Sequence, residues 1–213
     1  MDDYTNKIDR NLFDLIQNIE NPAILELGVQ NGLSTKKFID ICNKNNGFLY
    51  SVDVDDCSKV SNDKRWTFIK SRDDNFNLIK SKIPKEIDIL YIDSLHEADH
   101  VSKLIYNYYD LIKVGGFIFI DDISHLPYVK NGMRNNFYCE INNQETFNIL
   151  LEIYFSNYDK IDLNFSFVSS GLAIIKKKND KILNKMTKIK SRKSSLKNKI
   201  RKFVHFINKI KQS

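Results

Sequence analysis

From Ile87 to Ile123 the chain reads IDILYIDSLHEADHVSKLIYNYYDLIKVGGFIFIDDI, and no other stretch restricts the fold so tightly. Ile87–Ile92 and Phe117–Ile120 are short apolar runs of the kind that fill a buried strand. Each ends on carboxylates: Asp93 after the first, Asp121 and Asp122 after the second. Between them Val101, Leu104, Ile105, Tyr108 and Ile112 recur at helical spacing. Gly115-Gly116 then breaks the chain ahead of the second strand. A strand–helix–strand unit sets its strands parallel, so both groups of acids leave the sheet at one carboxyl edge, where open α/β sheets bind ligands. Acids gathered there either repel or share a cation. That edge is a candidate active site.

A second half of the site lies upstream. Pro22-Ala23-Ile24-Leu25-Glu26-Leu27-Gly28 reads as a strand running into a turn, and Gly32-Leu33-Ser34 opens a helix with Phe38, Ile41 and Cys42 on one face. Gly28 and Gly32 let the backbone turn and approach a ligand closely. The helix start near Ser34 offers free N–H groups to a carboxylate or phosphate. About twenty residues further on, Phe48–Val52 reads as a strand ending on Asp53, placed to bind ribose hydroxyls as in dinucleotide folds.

The run Glu26-Leu27-Gly28-x-x-x-Gly32-x-Ser34 resembles the S-adenosylmethionine loop of class I methyltransferases, in the form used by metal-dependent, catechol-type O-methyltransferases. The phrase Tyr91-Ile92-Asp93-Ser94-Leu95-His96, followed by Gly115-Gly116 and Asp121-Asp122, is more similar still to small bacterial methyltransferases acting on sugars and natural products. The resemblance spans roughly Ile24 to Lys176. It implies that Glu26, Gly28, Gly32, Ser34, Asp53, Ser71 and Asp73 hold S-adenosylmethionine, with Ser71 and Asp73 near adenine. It also implies that Asp93, Asp121 and Asp122 hold Mg2+ (or Mn2+), and that His96 is the general base, with Asp93 sharing the catalytic role. Three departures stand out. Gln30 occupies the place of a middle glycine in the commoner loop, Asp122 stands where the third ligand is usually Asn, and His96 where the base is usually Lys.

Other readings compete with these. A glycine loop and an acid could serve another nucleotide, NAD included, but the G-x-G-x-x-G triplet that brings backbone against a pyrophosphate is missing. Asp121-Asp122 could merely cap a helix, and His96 could be a hydrogen-bonded loop histidine. His125 is a rival base, whereas His100, one helical turn past His96, is read as exposed. An imidazole titrates near neutrality and suits proton removal. The loop 124–146, with His125, Tyr128, Arg134, Asn135, Asn136 and Tyr138, is expected to shape the pocket of a small-molecule or glycan acceptor.

The expected architecture is an α/β, Rossmann-like αβα sandwich with a mostly parallel seven-stranded sheet, closed by Ile161–Phe167 and Leu172–Ile175 as an antiparallel pair. An amphipathic helix over Asn6–Ile19 covers the sheet or the cofactor loop, and Phe147–Tyr154 reads as a further helix. At 213 residues one such domain can be buried, and residues 1–178 are assigned to it. Cys42, Cys57 and Cys139 show no metal or disulfide spacing, and the start Met-Asp-Asp-Tyr is no charged-then-apolar leader, so a cytoplasmic setting is expected.

Charge divides the chain. Residues 176–213 hold 15 of the 33 Lys and Arg and one of the 27 Asp and Glu, so this end carries +14 and the remainder −8. Within 179–213, Ile182, Met186, Ile189, Leu196, Ile200, Phe203, Ile207 and Ile210 would form one apolar stripe on a basic amphipathic helix plus C-terminal tail. A helix of this kind suits an anionic membrane surface, a protein partner or nucleic acid, with Phe203 and Phe206 favouring lipid over RNA. The alternative is a solvated Lys-rich tail. Three functions therefore remain in view: an O-methyltransferase, an RNA methyltransferase guided by the tail, and a non-methylating metal-binding relative.

Overall fold

The computed structural model describes residues 7–125, 137–190 and 195–212. Seven strands form one sheet: β1 (Ala23–Leu27), β2 (Phe48–Asp53), β3 (Trp66–Lys70), β4 (Ile87–Ile92), β5 (Ile112–Asp121), β6 (Ile161–Ser166) and β7 (Leu172–Lys177). Their order is β3-β2-β1-β4-β5-β7-β6, with β7 antiparallel to both β5 and β6 and the other pairs parallel. This is the Rossmann-like sandwich expected from the sequence. The order reverses between β1 and β4, and the crevice beyond their carboxyl ends is where such sheets bind ligands.

The central parallel strands β1 and β4 are buried on both faces, which is why they read as largely continuous apolar runs, whereas β3 lies at the sheet edge with only Ile69 buried. On one face Ile24, Leu49, Ile89, Tyr91 and Phe119 pack under an N-terminal helix and α2 (Leu33–Asn45), contributing Ile8, Leu12, Ile16, Phe38 and Cys42. The N-terminal helix, α1, is π-type over Asp9–Phe13 and continues as Asp14–Ile16. On the other face Leu25, Leu27, Leu90, Ile92, Ile118 and Ile120 meet Val101, Leu104, Ile105 and Tyr108 of one helix and Leu150 and Ile153 of another. These are α4 (Ala98–Tyr108) and α5 (Phe137–Asn157); α3 (Phe76–Lys80) is a short helix between β3 and β4.

Three sequence expectations change. Gly115-Gly116 does not end the helical segment: β5 begins already at Ile112, and Gly115, at φ 86°, sits within it where the register with β4 shifts between Ile87 and Ile89. The pair serves a bulge, one of the few strand features that calls for glycine. The helix α5 is 21 residues long, far more than Phe147–Tyr154. The apolar stripe of the tail is also broken. Residues 181–190 form no helix, and their Leu183 and Met186 pack into the core cluster beside α4 and α5, while the helix proper, α6, covers Leu196–Gln212. Among the described residues no helix is long and apolar enough to cross a membrane.

Candidate active site

Gly28 follows β1 directly, at φ 100°, and its N–H donates to the Val52 carbonyl. A Cβ there would stand 2.1 Å from the Asp93 carbonyl oxygen, so the glycine is required by contact between the loops after β1 and β4. Gln30, in the place of the missing glycine, takes φ 48°, a left-handed conformation adopted by a residue with a Cβ. Asp53 holds this loop in shape. Its Oδ2 accepts the N–H of Val29 at 2.8 Å and of Gln30 at 3.1 Å, and its Oδ1 accepts the N–H of Asp55 at 3.0 Å. Partial burial raises the carboxyl's pKa, but the N–H donors of Asp55, Val29, Gln30 and Val54 outweigh it and leave Asp53 below its ordinary value.

Glu26 lies within β1 and is fully buried. Its Oε1 accepts the Ser34 hydroxyl at 2.6 Å; its Oε2 accepts the hydroxyls of Thr35 at 2.8 Å and Ser51 at 2.6 Å. Burial pushes its pKa up to about 7 against the pull of those three hydroxyls, with Asp53 adding to the rise. Glu26 therefore ties the first turn of α2 to β1 and β2 from beneath the loop.

A cavity of about 920 Å³ opens above the crevice. Gly28, Ser34, Asp53, Ser71, Asp73, Asp93, His96, Asp121 and Asp122 all line it, while Glu26 and Gly32 do not. The carboxylate of Asp73 is engaged by the Ser94 hydroxyl and, at 2.9 Å, by Nε2 of His100. His100 was read from the sequence as exposed; it instead lines the cavity with its side chain 9% exposed. His125 goes the other way. Its ring packs 4.7 Å from that of Phe147 and it is not part of the cavity wall. Tyr128, Arg134, Asn135, Asn136 and the side chain of Tyr138 lie outside the described residues.

The acids do come together, but not as a set of three open ligands. Asp122, at φ 58°, and Asp93 converge on His96, whose Nε2 is 3.5 Å from Asp122 Oδ2 and 3.6 Å from Asp93 Oδ1. Asp121 lines the same cavity but is engaged from behind its wall. It is 2% exposed and paired with the ammonium of Lys7, a fully buried lysine just ahead of α1 that also donates to Ser170 Oγ at 2.7 Å. The Tyr91 hydroxyl stands 3.1 Å from Oδ2 of both Asp93 and Asp121, and its single proton serves one at a time. Burial, then repulsion from Asp121 and Asp122, raises Asp93 well above the usual carboxylate range, against the pull of Lys7 and Tyr91. Among the described residues no group of three or more His, Cys, Asp or Glu side chains is arranged to hold a metal ion. The donor set expected for Mg2+ or Mn2+, Asp93, Asp121 and Asp122, does not fit that ion as folded.

Lys7, Tyr91 and Ser170 were missed by sequence reasoning. Tyr91 carried a signal, since it precedes Asp93 by two positions on a strand and so shares its face. Lys7 and Ser170 carried none.

Residues 25–123 match the model of a family described as Methyltransferase domain. No curated protein sequence matches the chain. Among solved structures, the chain is similar to MycE methyltransferase from the mycinamycin biosynthetic pathway, in complex with Mg, SAH and mycinamycin VI. That match has 20% identity and a TM-score of 0.60, and it covers 83% of this chain and 50% of MycE, so the chain spans about half the length of that relative. A Staphylococcus aureus protein provisionally assigned as a caffeoyl-CoA O-methyltransferase is 18% identical, with a TM-score of 0.60 and coverage of 83% and 84%. A Clostridium thermocellum protein provisionally assigned as an rRNA methylase is 14% identical, with a TM-score of 0.58 and coverage of 79% and 94%. At these identities the likeness is one of fold.

Proposed function

We propose that this chain, which carries the class I S-adenosylmethionine-dependent methyltransferase domain, methylates a hydroxyl oxygen of a sugar or other small molecule. The observation that carries this reading is the placement of His96, held between Asp93 and Asp122 in the wall of a cavity of about 920 Å³. That volume suits a cofactor with a small acceptor beside it.

Bound S-adenosylmethionine supplies an electrophilic methyl group. The chain's own residues do the remainder. Oδ2 of Asp53 is taken by the Val29 and Gln30 N–H groups, so Oδ1, which accepts the Asp55 N–H, is the oxygen left to take a ribose hydroxyl; the N-terminus of α2, with Ser34, faces the amino-acid end. The acceptor hydroxyl loses its proton to Nε2 of His96, and the Asp122 carboxylate beside that nitrogen stabilises the imidazolium that forms. No metal ion is given a part, because Asp121 is occupied by Lys7 and Ser170. Alignment of oxygen with methyl group then accounts for the larger share of the barrier.

Isothermal calorimetry with S-adenosylhomocysteine tests the cofactor half. Asp53→Ala removes the ribose acceptor and the brace of the loop, and a hydrogen bond to a charged group contributes about 1.5–3 kcal/mol, so affinity should fall at least tenfold. A folded variant with unchanged affinity would refute the assignment. A methyl-transfer screen against glycans, small phenols and RNA identifies the acceptor. RNA is kept as the second reading because the tail is strongly basic. An anionic membrane surface is the partner better supported for α6. Leu196, Ile200, Phe203 and Val204 are all exposed along it, among six Lys and Arg and no acid.

A further inference from the structure

Burying a lysine completely beside a ligand cavity is costly unless its ammonium meets a defined need. Lys7 is 0% exposed, and its helix is seated by Ile8, Leu12 and Ile16, each at most 1% exposed, so the ammonium is delivered to a set place. There it pairs with Asp121 Oδ1 and donates to Ser170 Oγ at 2.7 Å, while Ser170 Oγ stands 3.4 Å from the same carboxylate oxygen. The Asp122 N–H donates to Asp121 Oδ1 at 2.7 Å, and the Tyr91 hydroxyl reaches Oδ2 at 3.1 Å. A carboxylate offers about four lone-pair positions. Lys7, Ser170 and the Asp122 N–H crowd Oδ1, while Tyr91 shares its one proton between Oδ2 and Asp93. A divalent ion at Oδ1 of Asp121 would have to displace the ammonium, and one at Oδ2 would stand beside that buried positive charge.

We propose that the ammonium of Lys7 is the resident cation of this acidic cluster, standing in for a divalent ion at Asp121, so that α1 is part of the active site and methyl transfer by this chain is independent of metal. This rests on the methyltransferase reading for the reaction it serves. The charge arrangement itself rests only on the contacts of Lys7 and Asp121. Its physical sense is that of a built-in counter-ion: the charge of Asp121 is balanced from behind the cavity wall, and the faces of Asp93, Asp122 and His96 stay open to a ligand.

Mn2+ is the probe. The aqueous Mn2+ electron paramagnetic resonance signal, titrated with full-length protein, should hardly change for the wild type. Lys7→Met removes the ammonium and returns lone pairs to Asp121, so Mn2+ should bind at least tenfold more tightly than to the wild type. The same variant should melt lower by several degrees, because it strands a buried carboxylate. Lys7→Met combined with Asp121→Asn removes both charges and should recover most of the melting temperature while taking up no Mn2+. Equal Mn2+ binding by wild type and Lys7→Met, whether tight or negligible, overturns the proposal. Should Lys7→Met alone fail to fold, recovery of folding by the double variant supports the pairing, and failure of the double variant to recover overturns it. Calorimetry with S-adenosylhomocysteine on the wild type keeps the two readings apart: absent binding removes the methyltransferase reading and leaves the Mn2+ outcome to decide this one.

Discussion

Glu26→Gln should remove a large part of the pH dependence of this fold. In the wild type the carboxyl is raised from 4.5 to about 7 by complete burial, offset by the hydroxyls of Ser34, Ser51 and Thr35. A group whose pKa is higher in the folded than in the unfolded chain holds its proton more tightly when folded. Its contribution is therefore complete below about pH 4.5 and is lost as pH rises through about 7. The full shift corresponds to about 3 kcal/mol, and about 2 to 3 kcal/mol of it falls between pH 5 and 8. Glutamine mimics the protonated acid, and the three hydroxyls can rotate to give or accept a bond from the amide. Urea denaturation of both proteins across that range is the assay. Near pH 5 the two should be similar. By pH 8 the wild type should have lost stability relative to Glu26→Gln, and its midpoint should lie about 1 M lower for an m-value near 2 kcal/mol/M. Taking the difference between the two proteins cancels other titrating groups, Asp93 among them. Parallel curves from pH 5 to 8 would refute the reasoning and mean that Glu26 is solvated or ionised at little cost.

Gly28→Ala should lower stability by about 3 kcal/mol or more, read by the same denaturation, because the new methyl group would lie 2.1 Å from the Asp93 carbonyl oxygen at a φ of 100°. His96→Ala should slow methyl transfer by about 10²–10⁴-fold once an acceptor is known, with S-adenosylhomocysteine affinity unchanged in calorimetry; an equal loss in affinity would make His96 a binding residue. Ending the chain after Lys190 should leave the melting temperature nearly unchanged and abolish sedimentation with anionic vesicles, since α6 supplies the exposed apolar and basic faces. Ending it after Lys178 should also cost stability, about 3 kcal/mol or more. It exposes the bed of Leu183 and strips Asn157, Lys160 and Tyr106 of their bonds to Asn184 and Ile182.

Local patterns carried the architecture. The strands β1, β2 and β4 could be placed within a residue because strands inside a parallel sheet are short, largely apolar runs. The carboxyl-edge cluster was legible for the same reason: parallel strands bring their ends to one side, so Asp53, Asp93, Asp121 and Asp122 had to meet near the glycine loop. Errors arose where one local signal has two tertiary uses. A glycine pair breaks a helix or bends a strand, and the register of β5 against β4 chose the second. The spacing of Ile182, Met186 and Ile189 suits a helix, yet the bonds of the chain at Ile182 and Asn184 to Lys160 and Asn157 hold that segment against the domain.

What the sequence determined by itself is therefore the sheet, its polarity and the set of acids at its edge, all consequences of periodicity and of the handedness of strand–helix–strand connections. What only the tertiary structure decided is how those acids are used. Lys7 and Asp121 are 114 residues apart, and nothing in the spacing of an N-terminal amphipathic helix says which carboxylate its one buried cation will meet. Glu26 reads as a cofactor ligand in the chain's order but lies beneath the loop, where the hydroxyls of Ser34, Thr35 and Ser51 converge from two other elements. Charge in a low-dielectric interior is governed by distance in space, and a one-dimensional pattern records who is charged without recording who is near.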